Sequence, residues 1–314
     1  MSPPEPTSTI TTKCIPTDKN QKMQSNQHNI LITGANGQLG SELRLVAPTD
    51  PDHNYYYTDV AELDITDKSA VTKFMNTHQI STVVNCAAYT NVDKAEDDID
   101  MADLINHLAV RNLAETCFEQ NALLIHISTD YVFDGTHNNP YSETDPTRPL
   151  GIYGITKRKG EEVVLQSGCN HIILRTSWLY SAFGKNFVKT MQKLTGEKEV
   201  LRVVFDQVGT PTYAHDLANI IISIIQKGAF SGINQIYHFS NEGVCSWYDF
   251  AVAINESFGH TCNVQPCHSS EYPSKVARPS YSVLDKTKIK DTLGIEIPHW
   301  RTSLSRCVER LRTD

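Results

Sequence analysis

The feature that most constrains this chain is a glycine-rich turn that follows an apolar run and opens a helix-forming segment. The run Asn29–Thr33 (NILIT) predicts a buried parallel strand, and residues 34–40 (GANGQLG) have the spacing GxxGxxG. Gly34 permits a tight turn, Gly37 leaves the backbone open to a pyrophosphate, and Gly40 lets the helix pack closely on the strand. The N–H groups and dipole at the helix start favour phosphate charge. The turn therefore predicts a dinucleotide site, the alternative being a glycine-rich turn without a ligand.

Strand-like and helix-like segments alternate from this turn to about residue 176. The further predicted strands are Tyr55–Asp59, Ser81–Cys86, Ala122–Ser128 and His171–Arg175, and the predicted helices are Ser41–Val46, Lys68–His78, Ala102–Gln120 and Tyr153–Gln166. Such alternation is typical of α/β proteins with a Rossmann-like, doubly wound parallel sheet. Right-handed crossovers bring the carboxyl ends of the strands, and with them the ligand cleft, to one edge.

The pattern is less regular after residue 176. Helices are predicted over Asn186–Leu194, His215–Lys227 and Ser246–Phe258, strands at VVFDQ (residues 203–207) and QIYHFS (residues 235–240), and a loop-rich piece over Cys262–Ser280. We expect residues 29–176 to form a dinucleotide-binding domain to which later segments return. Residues 177–314 are expected to form mainly a smaller substrate-binding lobe, and the polar residues 1–28 a disordered tail.

Composition narrows the function classes. The 314 residues carry a formal net charge of −8, which argues against a nucleic-acid backbone as partner. No apolar stretch reaches the length of a membrane span, and the N-terminal segment lacks the apolar core of a secretion signal. The eight cysteines and twelve histidines form no CxxC pair, zinc-spaced cluster or HExxH. We therefore expect a cytoplasmic protein with reduced cysteines and predict no metal site.

Further candidate cofactor contacts follow the second and third strands. Asp59 ends the second strand, where a carboxylate commonly accepts from adenosine ribose hydroxyls; it would repel a 2′-phosphate, which favours NADH, although Thr58 is an alternative contact. Asp64 and Ile65 can contact an adenine edge and face, or Asp64 caps a helix. The predicted cofactor-binding residues are Gly34, Asn36, Gly37, Gln38, Leu39, Gly40, Asp59, Asp64, Ile65, Ala87, Ala88, Tyr89, Tyr153 and Lys157.

A tyrosine and a lysine begin the helix that follows the fourth strand. Tyr153 and Lys157 are four residues apart and project from one helix face, while Thr129 lies at the end of the fourth strand. A nearby ammonium lowers the pKa of a phenol from about 10, and Thr129 can hydrogen-bond the carbonyl oxygen that Tyr153 protonates. These three residues are the predicted catalytic set for a hydride reduction. Because YxxxK is common by chance, a surface Tyr–Lys pair is the alternative.

Several longer segments carry a more specific signal. They are ITGANGQLG, NCAAYTNVDKAE, HISTDYVFDG, YGITKRKGE, LRTSWLYSAFGKNFVKTM, DQVGTPTYAHDLA and ARPSYSVLDKTK. From Asn29 onward the chain resembles the dTDP-4-dehydrorhamnose reductase family of the extended short-chain dehydrogenase/reductase superfamily. The resemblance implies reduction of the C4 keto group of dTDP-4-dehydro-β-L-rhamnose by NADPH or NADH, the last step of dTDP-rhamnose biosynthesis. It implies that the nucleotide-sugar substrate contacts Thr129, Asp130, Trp178 and Arg278.

Some alternatives stay open. In related 4,6-dehydratases an acidic residue follows the Thr–Asp pair, whereas this chain has Tyr131 there, which favours simple reduction. The other interpretations are a reductase or epimerase of another nucleotide sugar, and a regulatory dinucleotide-binding subunit like the β subunit of methionine adenosyltransferase. Some members of the resembled family bind magnesium through glutamates at a dimer contact, and Glu42 lies in a suitable place. A homodimer and a bound Mg²⁺ are therefore left open.

Overall fold

A six-stranded parallel sheet forms the centre of the molecule. The computed structural model describes residues 28–228, 234–272 and 274–313, so residues 1–27 of the predicted tail lie outside the described residues. The strands are β1 (His28–Thr33), β2 (His53–Thr58), β3 (Ile80–Asn85), β4 (Leu123–Thr129), β5 (Asn170–Thr176), β6 (Leu179–Tyr180), β7 (Val200–Val204), β8 (Val208–Gly209), β9 (Thr212–Tyr213), β10 (Asn234–His238), β11 (Cys245–Ser246) and β12 (Asn263–Cys267). The sheet has the order β2-β1-β3-β4-β5-β10, all parallel. This confirms the predicted Rossmann-like α/β class.

Helices cover both faces of this sheet. They are α1 (Gln38–Val46), α2 (Lys68–Thr77), α3 (Val92–Ala95), α4 (Ile99–Asp103), α5 (Ala109–Glu119), α6 (Ile152–Gln166), α7 (Phe187–Glu197), α8 (Ala214–Lys227), α9 (Trp247–Phe258), α10 (Thr287–Leu293) and α11 (Trp300–Thr313). α1 and α8 share a core with one face, and α2, α5 and α6 with the other. A strand covered on both faces needs apolar side chains throughout, as in the fully buried run Ile30–Ile32. Among the described residues, no helix combines the length and apolar character that a membrane span needs.

The order of the strands locates the ligand crevice. β1 pairs with β2 on one side and with β3 on the other, so the chain crosses to the opposite half of the sheet after β2. Helices on the two sides of this switch point diverge, which leaves a crevice beyond the carboxyl ends of β1 and β3. The glycine turn after β1 and the segment after β3 therefore border the same crevice.

The C-terminal half builds a second core and also completes the sheet. Residues of α7, α9 and α11 pack around Phe250 and Trp300, and short strand pairs β6–β9, β8–β11 and β7–β12 lie outside the central sheet. β10, predicted as QIYHFS, joins the sheet beside β5. Of the strand predicted as VVFDQ, only Val203 and Val204 belong to β7, which begins at Val200 and pairs with β12. The loop predicted over Cys262–Ser280 thus contains a strand. Its polar residues and Pro266 look like a loop in sequence but are compatible with a strand paired on one side.

The predicted helix Ala102–Gln120 is not one regular helix. α4 ends at Asp103, a π-helical turn spans Leu104–Leu108, and α5 begins at Ala109. A π-turn inserts one residue into the helix, and such insertions are frequent at functional sites. Here the insertion places Asn106 in the buried interior, facing the segment that follows β3.

Candidate active site

The glycine turn has the geometry that its spacing predicts. Gly34 has φ +62°, and a Cβ there would lie 2.6 Å from the amide nitrogen of Ala87, so a larger residue would push apart the ends of β1 and β3. A Cβ on Gly40 would lie 2.5 Å from Cα of Ala35, which holds α1 against the turn itself. A Cβ on Gly37 would meet only the Gly34 carbonyl, at 3.2 Å. The side of Gly37 that faces away from the turn is therefore open.

The start of α1 suits an anionic ligand. Its N-cap, Gly37, contributes no side-chain cap, and its first turn contains no acidic residue. The N–H groups and the positive end of the helix dipole are thus available to a phosphate. Gln38 accepts a hydrogen bond from Asn186 Nδ2 at 3.0 Å, and Leu39 is buried in the core, so these two residues contribute chiefly backbone. The residues present fit a dinucleotide.

The predicted ribose and adenine contacts differ in their surroundings. The Asp59 carboxylate accepts hydrogen bonds from the backbone N–H of Asn36 at 3.0 Å and from the backbone N–H of Val60 at 2.8 Å. These bonds place the carboxylate beside the glycine turn. Asp64 is exposed and accepts from the backbone and hydroxyl of Thr66. Asp64 therefore closes a local turn, and the cap of α2 is Asp67.

The segment after β3 is held by a residue whose role the sequence pattern does not reveal. Ala87, Ala88 and Tyr89 are partly exposed at the crevice. The fully buried side chain of Asn106 accepts from the Tyr89 amide at 2.8 Å, donates to the Tyr89 carbonyl at 3.1 Å and donates to Thr156 Oγ1 at 3.2 Å. The sequence signal for this role is the Asn106 side-chain amide within the apolar stretch LINHLAV, because a buried amide needs hydrogen-bond partners.

The predicted catalytic residues meet where β4 ends and α6 begins. Tyr153 lies in the first turn of α6, and its ring packs edge-on against Tyr131 at 5.5 Å between ring centroids. A Cβ on Gly154 would lie 2.3 Å from the Tyr131 carbonyl, so this glycine allows α6 to approach the end of β4. Lys157 is buried and donates from Nζ to the Ile127 carbonyl at 2.6 Å.

Burial dominates the acid–base behaviour of this pair. It raises the pKa of Tyr153 to about 12, with a hydrogen bond from Thr129 acting in the opposite direction and the charge of Asp130 adding to the rise. It lowers the pKa of Lys157 to about 8, against the attraction of Glu161. The expected lowering of the Tyr153 pKa by Lys157 is therefore not seen, since Lys157 is directed at the Ile127 carbonyl. Tyr153 keeps its proton at neutral pH, the form that a proton donor needs.

Asp130 has a buried carboxylate oxygen without a hydrogen-bond partner in the described part of the chain. Its side chain is 1% exposed, and Oδ1 accepts from Thr129 Oγ1 at 3.1 Å. Oδ2 has no hydrogen-bond partner among the described residues. Burial raises the pKa of Asp130 to about 6, although hydrogen bonds from Ser282 and Thr129 oppose the rise. A buried carboxylate oxygen without a partner is a position where a ligand hydroxyl can donate.

Trp178 is held in an unusual backbone conformation. Its φ is +47°, which is strained for a bulky residue. Its ring stacks on Trp247 with 3.6 Å between centroids and 9° between planes. A Cβ on Gly209 would approach this ring to 2.8 Å and Ser282 Oγ to 2.8 Å. Gly209 thus allows the ring to lie close to the Ser282 side chain.

Arg278 borders a cavity of about 620 Å³ between α7, β7 and residues 269–272 and 274–278. Its Nη2 donates to Asp93 Oδ2 at 3.0 Å, while its buried Nε has no partner among the described residues. The cavity wall also contains Arg202, Gln207 and Trp247. A guanidinium nitrogen without an acceptor can bind an anionic ligand group.

The surroundings of Glu42 do not suit magnesium. Its fully buried carboxylate accepts from Ser181 Oγ at 2.6 Å, from His215 Nδ1 at 3.1 Å and from Arg310 Nη1 at 2.9 Å. A guanidinium already supplies the positive charge that a cation would bring. No group of three or more potential metal ligands occurs among residues 28–228, 234–272 and 274–313.

This combination of fold and site matches a known family. A family model described as the RmlD substrate binding domain matches residues 28–313. The chain belongs to this family. Within the RmlD family, dTDP-4-dehydrorhamnose reductase of Aggregatibacter actinomycetemcomitans is 40% identical over 283 residues, covering 88% of this chain and 96% of that protein.

Two further similar proteins are named with a substrate or a cofactor. A probable dTDP-4,6-dihydroxy-2-methyloxan-3-one 4-ketoreductase of Streptomyces antibioticus is 40% identical over 277 residues, covering 87% of this chain and 92% of that protein. The solved structure of dTDP-4-dehydrorhamnose reductase from Bacillus anthracis, in complex with NADP, superposes with a TM-score of 0.86 at 38% identity. It matches 90% of this chain and 99% of that chain.

Proposed function

We propose that this protein reduces the C4 keto group of dTDP-4-dehydro-β-L-rhamnose to give dTDP-β-L-rhamnose, using NADPH or NADH. One observation carries the proposal: Thr129, Asp130 and Tyr153 converge at the end of β4, beside the crevice of the glycine turn. The names of relatives that cover nearly the whole chain support it.

The proposed reaction assigns each side chain a step. When bound, the reduced nicotinamide supplies a hydride to C4 of the sugar. Tyr153 gives its proton to O4, and Thr129 turns its one hydroxyl proton from Asp130 to the same oxygen, so the charge that develops on O4 is neutralised. Lys157 holds the nicotinamide ribose with its ammonium. The product gains one hydrogen at C4 and one at O4.

The substrate residues then orient the sugar. Asp130 Oδ2 is proposed to accept from a sugar hydroxyl, because it is buried without a partner among the described residues. The Trp178 ring is proposed to lie along the sugar, and Arg278 to bind the diphosphate. Positioning of this kind lowers the entropic part of the barrier.

An assay of cofactor oxidation with each nicotinamide tests the proposal. The purified protein is mixed with dTDP-4-dehydro-β-L-rhamnose and either nicotinamide, and loss of the reduced-cofactor absorbance is followed together with product analysis. We expect oxidation of cofactor and a matching amount of dTDP-rhamnose. Absence of turnover with both cofactors would contradict the proposal.

A second candidate is reduction of another dTDP-4-keto sugar. The Streptomyces antibioticus relative, named for such an activity, is as similar to this chain as the rhamnose enzyme is. A panel of dTDP-4-keto sugars distinguishes the two by the highest kcat/KM.

We also propose a cytoplasmic location, where reduced nicotinamide is available, and a homodimer, which sedimentation of the purified chain tests.

A further inference from the structure

α6 carries three ionisable side chains at a regular spacing. Tyr153, Lys157 and Glu161 follow one another every four residues, so all three lie on one face of the helix. The proposed function uses the first two. Glu161 is fully buried, which is rare for a carboxylate unless it is paired.

Three hydrogen bonds hold the Glu161 carboxylate. Arg175 donates from Nε to Oε1 at 2.9 Å and from Nη2 to Oε2 at 2.8 Å, the bidentate arrangement that fixes a carboxylate most firmly. Ser128 Oγ donates to Oε1 at 2.6 Å. Arg175 is 3% exposed and Ser128 also 3%, so the whole cluster is shielded from water.

The partners of Glu161 belong to strand ends that carry site residues. Ser128 directly precedes Thr129 in β4, and Arg175 lies three residues before Trp178, at the end of β5. A single carboxylate on α6 is therefore joined to both strands. Displacement of Glu161 would loosen the relative position of the helix and the two strand ends.

Glu161 is also the negative charge with the strongest influence on Lys157. Burial opposes the ammonium, and Glu161 is the strongest influence that favours it. The other titratable neighbours are neutral or engaged: burial raises the pKa of Cys86 to about 12 and holds the pKa of His126 well below its usual range. On the α3–α4 side, Glu96 accepts from the Ile152 amide and Asp103 from Lys159. On the β4 side, Asp130 acts on Tyr153.

We propose that Glu161 is a positioning residue for the reduction: held by Arg175 and Ser128, it keeps Lys157 charged and fixes the ends of β4 and β5 that carry Thr129 and Trp178. This inference rests on the proposed function for its catalytic consequence. Its electrostatic part concerns the intact protein and its cofactor alone.

The test is Glu161→Gln, with Glu162→Gln as matched control. Glu162 is the next residue, 46% exposed and paired with Arg158 at 3.2 Å, so the control removes the same charge from the same helix. We expect Glu161→Gln to move the alkaline limb of the kcat/KM profile to lower pH by roughly one unit, the scale of one nearby charge. The pH profile of NADPH binding, followed by cofactor fluorescence, should move equally. Glu162→Gln should keep both wild-type profiles.

A second variant covers the case in which Glu161→Gln does not fold, since it leaves Arg175 buried without a counter-charge. The double variant Glu161→Gln/Arg175→Gln removes both charges and should shift the alkaline limb in the same direction by a smaller amount, because loss of the Arg175 cation favours the Lys157 ammonium. Either folded variant with a wild-type alkaline limb in both profiles would overturn the inference. Failure of the proposed function looks different: the wild-type protein would not turn over the keto sugar, yet the shift in NADPH binding would persist.

Discussion

Tyr153 is the residue on which the proposed chemistry depends most directly. We expect Tyr153→Phe to lower kcat by roughly 10²- to 10⁴-fold, the range of a lost general acid, while NADPH binds with nearly unchanged affinity because Lys157 remains. Tyr131→Phe is the control, since it removes the same hydroxyl from a ring 5.5 Å away. Stopped assays with fluorescence titration of the cofactor measure both quantities. Near wild-type turnover in Tyr153→Phe would refute its role.

Asp59 offers a test of cofactor choice. Its carboxylate lies beside the glycine turn, bonded to the Asn36 amide, and its charge would repel a 2′-phosphate. Asp59→Asn keeps an oxygen acceptor and removes the charge, so kcat/KM for NADPH should rise relative to NADH by roughly tenfold, the scale of two charges about 3–4 Å apart in a water-like dielectric. Asp52→Asn, at an exposed residue of the turn before β2, is the control. An unchanged ratio of the two cofactors would place the 2′-phosphate elsewhere.

At the scale of single residues, the sequence predicts the site where the spacing between residues fixes the geometry of a turn or a helix. The positions of Gly34, Gly37 and Gly40 follow from the backbone that the turn must adopt, and the spacing of Tyr153 and Lys157 follows from the helix. The unpaired oxygen of Asp130 and the direction of Lys157 depend on neighbours distant in sequence, such as Ile127 and Ser282. Those neighbours could not be predicted before the fold was known.

Gly37 and Gly40, in the turn and first helix after β1, have different roles. Gly37 has φ −75°, which any residue can adopt, and a Cβ there faces open space apart from one carbonyl. Gly37→Ala should therefore keep the melting temperature nearly unchanged and weaken NADPH binding by roughly tenfold or more, because the added methyl occupies the pyrophosphate side. Calorimetry and cofactor titration measure the two effects.

Gly40→Ala is the companion variant and should affect both quantities. Its Cβ would lie 2.5 Å from Cα of Ala35, so α1 must shift, at a cost of about 1–3 kcal/mol in the free energy of unfolding. If Gly37→Ala destabilised the protein as much as Gly40→Ala does, the pyrophosphate interpretation of Gly37 would be wrong.

Among the elements, the central strands are the most predictable from sequence. The inner strands β1, β3, β4 and β5 contain short apolar runs, because both faces of a parallel sheet are covered, whereas the edge strands β2 and β10 are more polar. The π-turn Leu104–Leu108 and β12 were missed for opposite reasons. The π-turn keeps the apolar pattern of a helix while its backbone changes, and β12 lacks an apolar pattern while its backbone pairs with β7. The helix α11 carries mostly polar residues and was also not predicted.

At the scale of the whole molecule, the first and the last helix of the described residues are in contact. Glu42 on α1 accepts from Arg310 on α11, and Arg310→Met would leave a buried carboxylate without its guanidinium. We expect a loss of about 3 kcal/mol in the free energy of unfolding at neutral pH. Arg312→Met, on the exposed side of the same helix and bonded to the Ser257 carbonyl, should cost about 1 kcal/mol or less.

The pH dependence of this contact has a definite sign. Burial raises the pKa of Glu42, but the hydrogen bonds from His215 and Ser181 and the charge of Arg310 outweigh it, so the net pKa is lowered. A carboxyl with a depressed folded pKa stabilises the protein above its unfolded pKa and loses that stabilisation as pH falls through the folded value. Urea unfolding should therefore show the Arg310→Met deficit at neutral pH and a smaller deficit in acid. A constant deficit would argue against this charge pair.

The domain boundary predicted at residue 176 stays a prediction. The return of β10 to the sheet, however, has a consequence during synthesis. A ribosome releases β1 to β5 first, while β10 emerges only after residues 177–233. Until then the outer side of β5 is an unpaired edge, which can associate with other nascent chains. α8, which covers α1, precedes β10 directly in the chain. Helix α8 and the closing strand β10 therefore arrive together, and a stalled chain that ends between β5 and α8 is the form that most needs a chaperone.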